Sequence, residues 1–566
     1  MILIFISWLY IFFTTINLGF LTDKILQLKN QNFVILSILG LFSTTVLASL
    51  WAIFGRINIE FHIFLLLLNI SVFFKFKTQI LNCYVFAFSE FKQWQKTFKI
   101  VFIIISFLII AQCATIPYII DNESYYIQTI KWLNEYGFVK GLINLHLFFS
   151  QTSGWHISQS AFNFSFLYKN FNDLSGFCLL IGTFFSIEKL NTFYINNNKN
   201  YLIIGLFSLF NVFFFQFISA PSPDIPVYIF SFILFFYFLE NFKNTTPEIF
   251  NLIVILSLFI LYIKNTTLVF GLIPIILFIY NFKNLSQHLF KPFFIAALIL
   301  GLFVSKNMII CGAPIFPSKF FNLFTTDYSI PNTIEAFYYE QFKTYGYLLY
   351  PEQYNSMSTT NLFLRWLTLP KLNGLFNKII IFLIIIVPFL IYKFQNKKSF
   401  WLLYLLMILQ MIFLFVTSPQ YRFFMNFILF FSLFCLIILV QNKKLIRFLL
   451  IASLLPTIIV LFFPINLNHF SNHNFMLKIS NFSTKNIVFP SEITKYKLPF
   501  SPIRIGNFTY NSPVNCDFFW GNGNGDLPCV NKDQIEYFKK YFNTIPQMRT
   551  HDLKDGFYPQ KLTPNE

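Results

Sequence analysis

Long apolar runs, interrupted at short intervals by polar and mostly basic residues, set the pattern of this chain. Runs approaching the ~20 apolar residues a helix needs to cross a bilayer give about fourteen candidate spans. They lie at 1–20, 33–54, 59–74, 98–120, 161–187, 200–218, 225–241, 248–263, 266–281, 290–310, 375–393, 400–417, 422–441 and 445–464. The first carries no basic leader and no small-residue cleavage pattern after it, so we expect it to be retained. The apolar stretches 250–263 and 268–280 are too short to cross upright and flank Lys264. They predict two short helices meeting inside the protein, where irregular backbone at membrane depth is tolerated. One segment departs from the pattern. After the 98–120 run, Tyr125, Thr129, Trp132, Leu133 and Tyr136 recur at helical spacing, with Glu123, Gln128, Lys131, Asn134 and Glu135 opposite them. That predicts a helix lying on the membrane surface with its rings at headgroup depth. Beyond about residue 465 the chain turns polar and has no span. We therefore expect N-terminal transmembrane helices (1–97), a transmembrane core (98–464) with loops 121–160 and 311–373, and a small C-terminal domain (465–566).

Composition strengthens the membrane assignment. Only 11% of the 566 residues are charged, against about 25% in a soluble domain, and mean hydropathy is +0.62. The fold class expected is an all-α polytopic bundle of about 12–14 spans. Phenylalanine occurs 84 times, a bias shared with Asn, Ile and Lys, so aromatic stripes carry little functional weight. The net charge of +18 would raise nucleic-acid binding in a soluble chain. Here the lysines fall in alternate loops, as expected of loops facing anionic lipid on the cytoplasmic side, and no nucleic-acid partner is needed. The remaining loops then face outward: 121–160, 219–226, the turn at Lys264, 311–373, 418–422 and the tail.

The groups able to do chemistry fall in that outward set. Asp121 suits either a helix cap or a general base that takes the proton of an acceptor hydroxyl. One carboxylate suffices for a single inverting displacement at a sugar, whereas a retaining hydrolase needs two. Asp224 lies in Ser219-Ala220-Pro221-Ser222-Pro223-Asp224-Ile225-Pro226, a stiff loop because each proline restricts itself and its predecessor; it too is a cap or a second contacting acid. Lys264 and Arg422 sit at span ends on the side poor in basic residues. They either snorkel or stabilise a phosphate, which Arg binds in a bidentate way. His146 and His156 flank Ser153-Gly154-Trp155 and have no third close ligand for zinc. Cys516 and Cys529 in the tail form a disulfide in an oxidising compartment or remain two free thiols. The sequence requires no cofactor, and a divalent metal at Asp121 and Glu123 stays open. Serine-hydrolase elbows, P-loops and dinucleotide fingerprints are absent.

An acidic first large outer loop followed by interfacial helices resembles the GT-C glycosyltransferases, which use a sugar carried on a polyprenyl lipid. More closely, the run Asp121, Tyr125-Tyr126, Ile130-Lys131-Trp132, Tyr136-Gly137, Gly141-Leu142, Asn144-Leu145-His146, Ser153 and Trp155 resembles a family of uncharacterised bacterial membrane proteins with that architecture. Further matches occur at Ser222-Pro223-Asp224, Lys264, Gly312 to Pro317, Pro419 to Phe423, and Cys516 to Phe557, so the likeness runs from about residue 98 onward. It implies a GT-C-type bundle in a bacterial inner membrane, with its active site and C-terminus facing the periplasm. The implied reaction moves a sugar from a polyprenyl-phosphate donor to an envelope glycan, lipid or protein. Asp121 is then the catalytic base, and Glu123, Tyr125, His146, Asp224, Lys264 and Arg422 contact substrate. A transporter or flippase for a lipid-linked glycan is the alternative from another class, but it calls for ionisable groups along a mid-membrane path. A polysaccharide polymerase or ligase stands closer to the first reading.

Overall fold

Asparagine, with serine and one threonine, starts several of the helices. The computed structural model describes residues 1–317, 325–468, 470, 481–497 and 499–562. Within them, Asn32 accepts hydrogen bonds from the backbone N–H groups of Val34 and Ile35. Thr246 caps Pro247–Ile263 through Ile249, with proline at the first helical position, and Asn442 caps Lys443–Ala452 through Lys444. Each cap satisfies donors that an apolar run cannot satisfy itself.

Most of the apolar runs read from the sequence fold as helix, but the 161–187 run is irregular as far as Asp173 and its helix is Leu174–Asn196, and the helices are less uniform than expected. Among the described residues, eight helices are long and apolar enough to cross a membrane, or up to ten if each bent pair is one span. Ile59–Lys75 turns by 90° into Lys77–Gln93, and Asn265–Tyr280 turns by 95° into Phe282–His288. Lys199–Phe214, Pro247–Ile263 and Met425–Leu439 are shorter apolar helices. Short helices can be kept at membrane depth because longer neighbours enclose their ends. The result is an all-α polytopic bundle.

The first 97 residues are not a separate unit. Trp8 meets Phe177 with ring centroids 6.1 Å apart, and Phe33 meets Phe184 at 6.4 Å. One buried core runs from Ile4 to Phe557. Helices Ile2–Leu26 and Phe33–Phe54 approach backbone to backbone through glycines. A Cβ on Gly19 would lie 1.9 Å from the Leu36 carbonyl oxygen, and one on Gly40 would lie 1.9 Å from that of Thr15, a small-residue contact that suits helices in lipid.

The basic loops gather at one end of the bundle. Lys29 pairs with Glu248 at 2.8 Å, Lys291 Nζ donates to the Leu26 carbonyl, Lys443 Nζ to that of Tyr194, and Arg447 to Gln95 Oε1. The opposite end carries the tail. There, β1 (Phe500–Ile505) pairs antiparallel with β2 (Phe508–Pro513), and β3 (Thr544–Met548) with β4 (Phe557–Lys561), around the helix Lys532–Phe542. Two-stranded hairpins are marginal alone, and these are held against the bundle. The Phe557 N–H donates to the Lys140 carbonyl, and Arg549 pairs with Asp327 at 2.7 Å.

The segment after Asp121 is not a surface helix. It is a π-turn, Asn122–Tyr126, continuing as Ile127–Glu135, and its polar side is covered too. Gln128 Nε2 donates to the carbonyls of Gly523 and Gly525, and Lys131 Nζ to those of Asn524 and Gly525. The glycine-rich loop 521–525 thus lies where lipid headgroups were expected, and amphipathic spacing alone cannot distinguish a protein cap from a membrane surface.

Candidate functional site

Four segments far apart in sequence meet at the tail end of the bundle. The Lys96–Cys113 helix ends before the non-helical stretch that leads to Asp121. Asp224 opens the helix Asp224–Asn241 in its first turn, where the helix dipole favours an acid. Lys264 ends Pro247–Ile263 in an extended conformation, φ −151° and ψ 114°, before the 3₁₀ turn Asn265–Gly271. This is the interruption the short apolar runs predict. Arg422 lies in the 3₁₀ turn Tyr421–Phe423. That turn is braced by Tyr228 Oη donating to the Arg422 carbonyl, by Trp366 Nε1 donating to that of Pro419, and by Gln410 Nε2, which donates to the carbonyls of Thr266 and Phe423.

The side chains form a chain of ion pairs. Lys264 Nζ binds Asp224 Oδ1; Arg422 Nη1 lies 3.7 Å from Asp224 Oδ2 and 2.7 Å from Asp121 Oδ2. Neither acid caps a helix, since neither the π-turn after Asp121 nor the helix opened by Asp224 has a side-chain cap bond. Burial opposes the charge on Arg422, but the two carboxylates more than offset it and hold the guanidinium well above its ordinary range. The acids differ in access: the Asp121 side chain is 23% exposed and that of Asp224 2%. Both hydrogen bonds to the Asp121 carboxyl, from Arg422 and, at 3.5 Å, from Tyr126 Oη, reach Oδ2. Among the described residues Oδ1 accepts none.

All four residues line one cavity of about 300 Å³, at the lower end of the range for ligand pockets. Tyr125 lines it too, its hydroxyl donating to Gln151 Oε1 at 3.1 Å, while Gln151 Nε2 donates to Tyr338 Oη at 2.7 Å. The 311–373 segment is partly helical, and its helix Asn332–Tyr345 supplies Tyr338, Phe342 and Tyr345 to the wall. Trp520 from the tail closes another side, its ring tilted against Phe148 with centroids 4.7 Å apart.

Two residues expected to touch substrate do not line this cavity. Glu123 is buried; Thr494 Oγ1 donates to it at 2.6 Å and the Lys495 N–H at 2.7 Å. Its backbone carbonyl accepts from the Asn522 and Gly523 N–H groups. Burial pushes its carboxyl up, and its role is to seat the tail. Asp121 and Glu123 therefore do not share a metal site, and among the described residues no three His, Cys, Asp or Glu cluster as metal ligands do. His146 is also buried: its Nδ1 accepts from the Phe148 N–H, and Nε2 lies 3.4 Å from the Trp520 carbonyl. Burial pushes it down to about 3. His156 completes a capping box with Ser153. Cys516 and Cys529 are free thiols turned to different partners: Cys516 Sγ contacts Tyr496 Oη, and Cys529 Sγ donates to the Asn522 carbonyl. Of the two alternatives open for this pair, the structure holds the separate thiols.

Lys306 was not singled out in the sequence. It lines the cavity from within the helix Phe290–Cys311, is 3% exposed, and donates to the Thr152 carbonyl. A lysine within a candidate span, flanked by Ser305 and Asn307, was the available signal.

Residues 1–429 match a family model described as a domain of unknown function, DUF8201. The match includes the first 97 residues, where no likeness was expected, and the ion-pair chain, but not the tail. No curated protein and no solved structure matches.

Proposed function

The chain belongs to the DUF8201 family, and we propose that it is a GT-C-like membrane glycosyltransferase that moves a sugar from a polyprenyl-phosphate donor to an envelope acceptor. The observation that carries this proposal is the convergence of Asp121, Asp224, Lys264 and Arg422 on one cavity at the end of the bundle away from the basic loops. By the positive-inside rule, that end faces the exterior of a bacterial inner membrane. Apolar rings from Phe316, Phe342 and Phe413 line the same cavity as the charges, which suits a ligand that is part lipid and part polar head.

In this mechanism the acceptor hydroxyl oxygen attacks the anomeric carbon, Asp121 Oδ1 takes its proton, and the bond from the anomeric carbon to the phosphate oxygen breaks with inversion. Polyprenyl phosphate leaves carrying the electron pair. Arg422 holds Asp121 in place through Oδ2, while Asp224 fixes Arg422 and Lys264. Because Asp121 is at once partly exposed and held on one oxygen only, it is better suited to the proton transfer than Asp224.

The test is transfer from a short-chain prenyl-phosphate sugar by the full chain in proteoliposomes, with Asp121→Asn and Asp121→Ala alongside. We expect both variants to insert and fold and to lose transfer by 10²-fold or more. Full activity in both would remove the base. Movement of an intact lipid-linked glycan across the bilayer without transfer would instead favour the flippase.

A further inference from the structure

We propose that Lys306 is the phosphate-binding cation of the cavity and takes the phosphoryl group of a prenyl-phosphate ligand, an inference that rests on the polyprenyl-phosphate reading above. The sequence pointed to Lys264 and Arg422 for this role. In the structure both are engaged by carboxylates, Lys264 by Asp224 and Arg422 by Asp121 and Asp224. Two cations beside two acids leave no net positive charge for a phosphate.

Lys306 differs in kind. It makes no ion pair among the described residues; its ammonium donates to the Thr152 carbonyl and lies 5.3 Å from the Phe303 ring centroid and 5.7 Å from that of Tyr262. An ammonium has three donors, so one carbonyl leaves two unused. Snorkelling does not account for it, because a snorkelling head reaches water or headgroups and this residue is 3% exposed. Holding a cation away from water without a counter-ion destabilises the protein, a cost that an anionic ligand entering the cavity would offset. Where ionisable groups persist at membrane depth, they mark ligand or ion sites.

The charge balance leads to a test that a structural role would fail. Lys306→Met keeps length and volume but removes the buried charge, so we expect it to unfold at or above the wild-type temperature. Using detergent-solubilised full-length protein, binding of farnesyl phosphate, farnesol and inorganic phosphate is compared. Wild type is expected to bind farnesyl phosphate at least tenfold tighter than farnesol. Lys306→Met should bind the two alike, and Lys306→Arg should retain part of the preference. If Lys306→Met keeps the full preference, or melts well below wild type, the assignment fails while the glycosyltransferase reading survives. If wild type does not prefer farnesyl phosphate to farnesol, both fail. Inorganic phosphate competing as strongly as farnesyl phosphate would overturn the lipid-linked ligand.

Discussion

Asp224→Asn tests the ion-pair chain most directly. The substitution keeps the shape of a side chain that is 2% exposed but removes the one charge shared by Lys264 and Arg422. At an effective dielectric of ~20, unit charges 3.7 Å apart, the Arg422 distance, attract by about 4 kcal/mol, and the direct Lys264 contact adds to this. Desolvation already incurred by the ions cancels part of the gain. Truncating one member of a buried pair, however, leaves its partner charged and uncompensated, at about 3–5 kcal/mol. Arg422 keeps Asp121, so most of the penalty falls on Lys264. We therefore expect Asp224→Asn to lose about 3–5 kcal/mol, and Asp224→Asn combined with Lys264→Met to recover most of it. The assay is the folded fraction after graded heating, read by size-exclusion chromatography of detergent-solubilised protein for wild type, both single variants and the double. A coupling of about 2 kcal/mol or more between the two sites is expected. Additive effects, or an Asp224→Asn variant as stable as wild type, would refute the pairing.

Three other outcomes follow from the tail and its seat. Gly556 has φ +89°, and a Cβ there would lie 1.9 Å from the Lys140 carbonyl oxygen; Gly556→Ala should therefore loosen the tail, seen as faster proteolysis after residue 480 with the bundle intact. Gln128→Leu removes the donor to the Gly523 carbonyl and one of those to Gly525, and should cost about 1–3 kcal/mol of stability with little effect on membrane insertion. His146 and His156 are both pushed from 6.5 to about 3 by burial, so between those values the unfolded chain binds more protons than the folded one. Stability is unaffected by these groups above pH 6.5 and falls below it, by about 2 kcal/mol per histidine at pH 5. Thermal midpoints at pH 7 and pH 5 measure this, and His146→Asn should remove about half of the difference.

Hydropathy is a local property, and the sequence alone determined what depends on it. Most apolar runs became helices close to their expected bounds, with 161–187 displaced to Leu174–Asn196; the break at Lys264 appeared where two runs were too short, and lysines in alternate loops ended up at one end. Even the grouping of Asp121, Asp224, Lys264 and Arg422 could be read, because alternation of spans assigns each loop to one end. Tertiary structure decided how those charges are spent. Arg422 binds Asp121, which lies 301 residues away in the chain, and nothing in the spacing of either residue specifies that bond. Glu123 and His146 carry the same chemistry as residues in the cavity but lie against the tail, so packing alone separates them from the site. Lys306 lies in the last third of a span, in Ser305-Lys306-Asn307, and only the surrounding helices determine whether such a lysine faces lipid, water or a cavity. The Gly556-Phe557 step likewise has no meaning until the tail folds back on Lys140. A one-dimensional pattern fixes which end of the bundle a group occupies, whereas its partner is set by side-chain geometry across hundreds of residues.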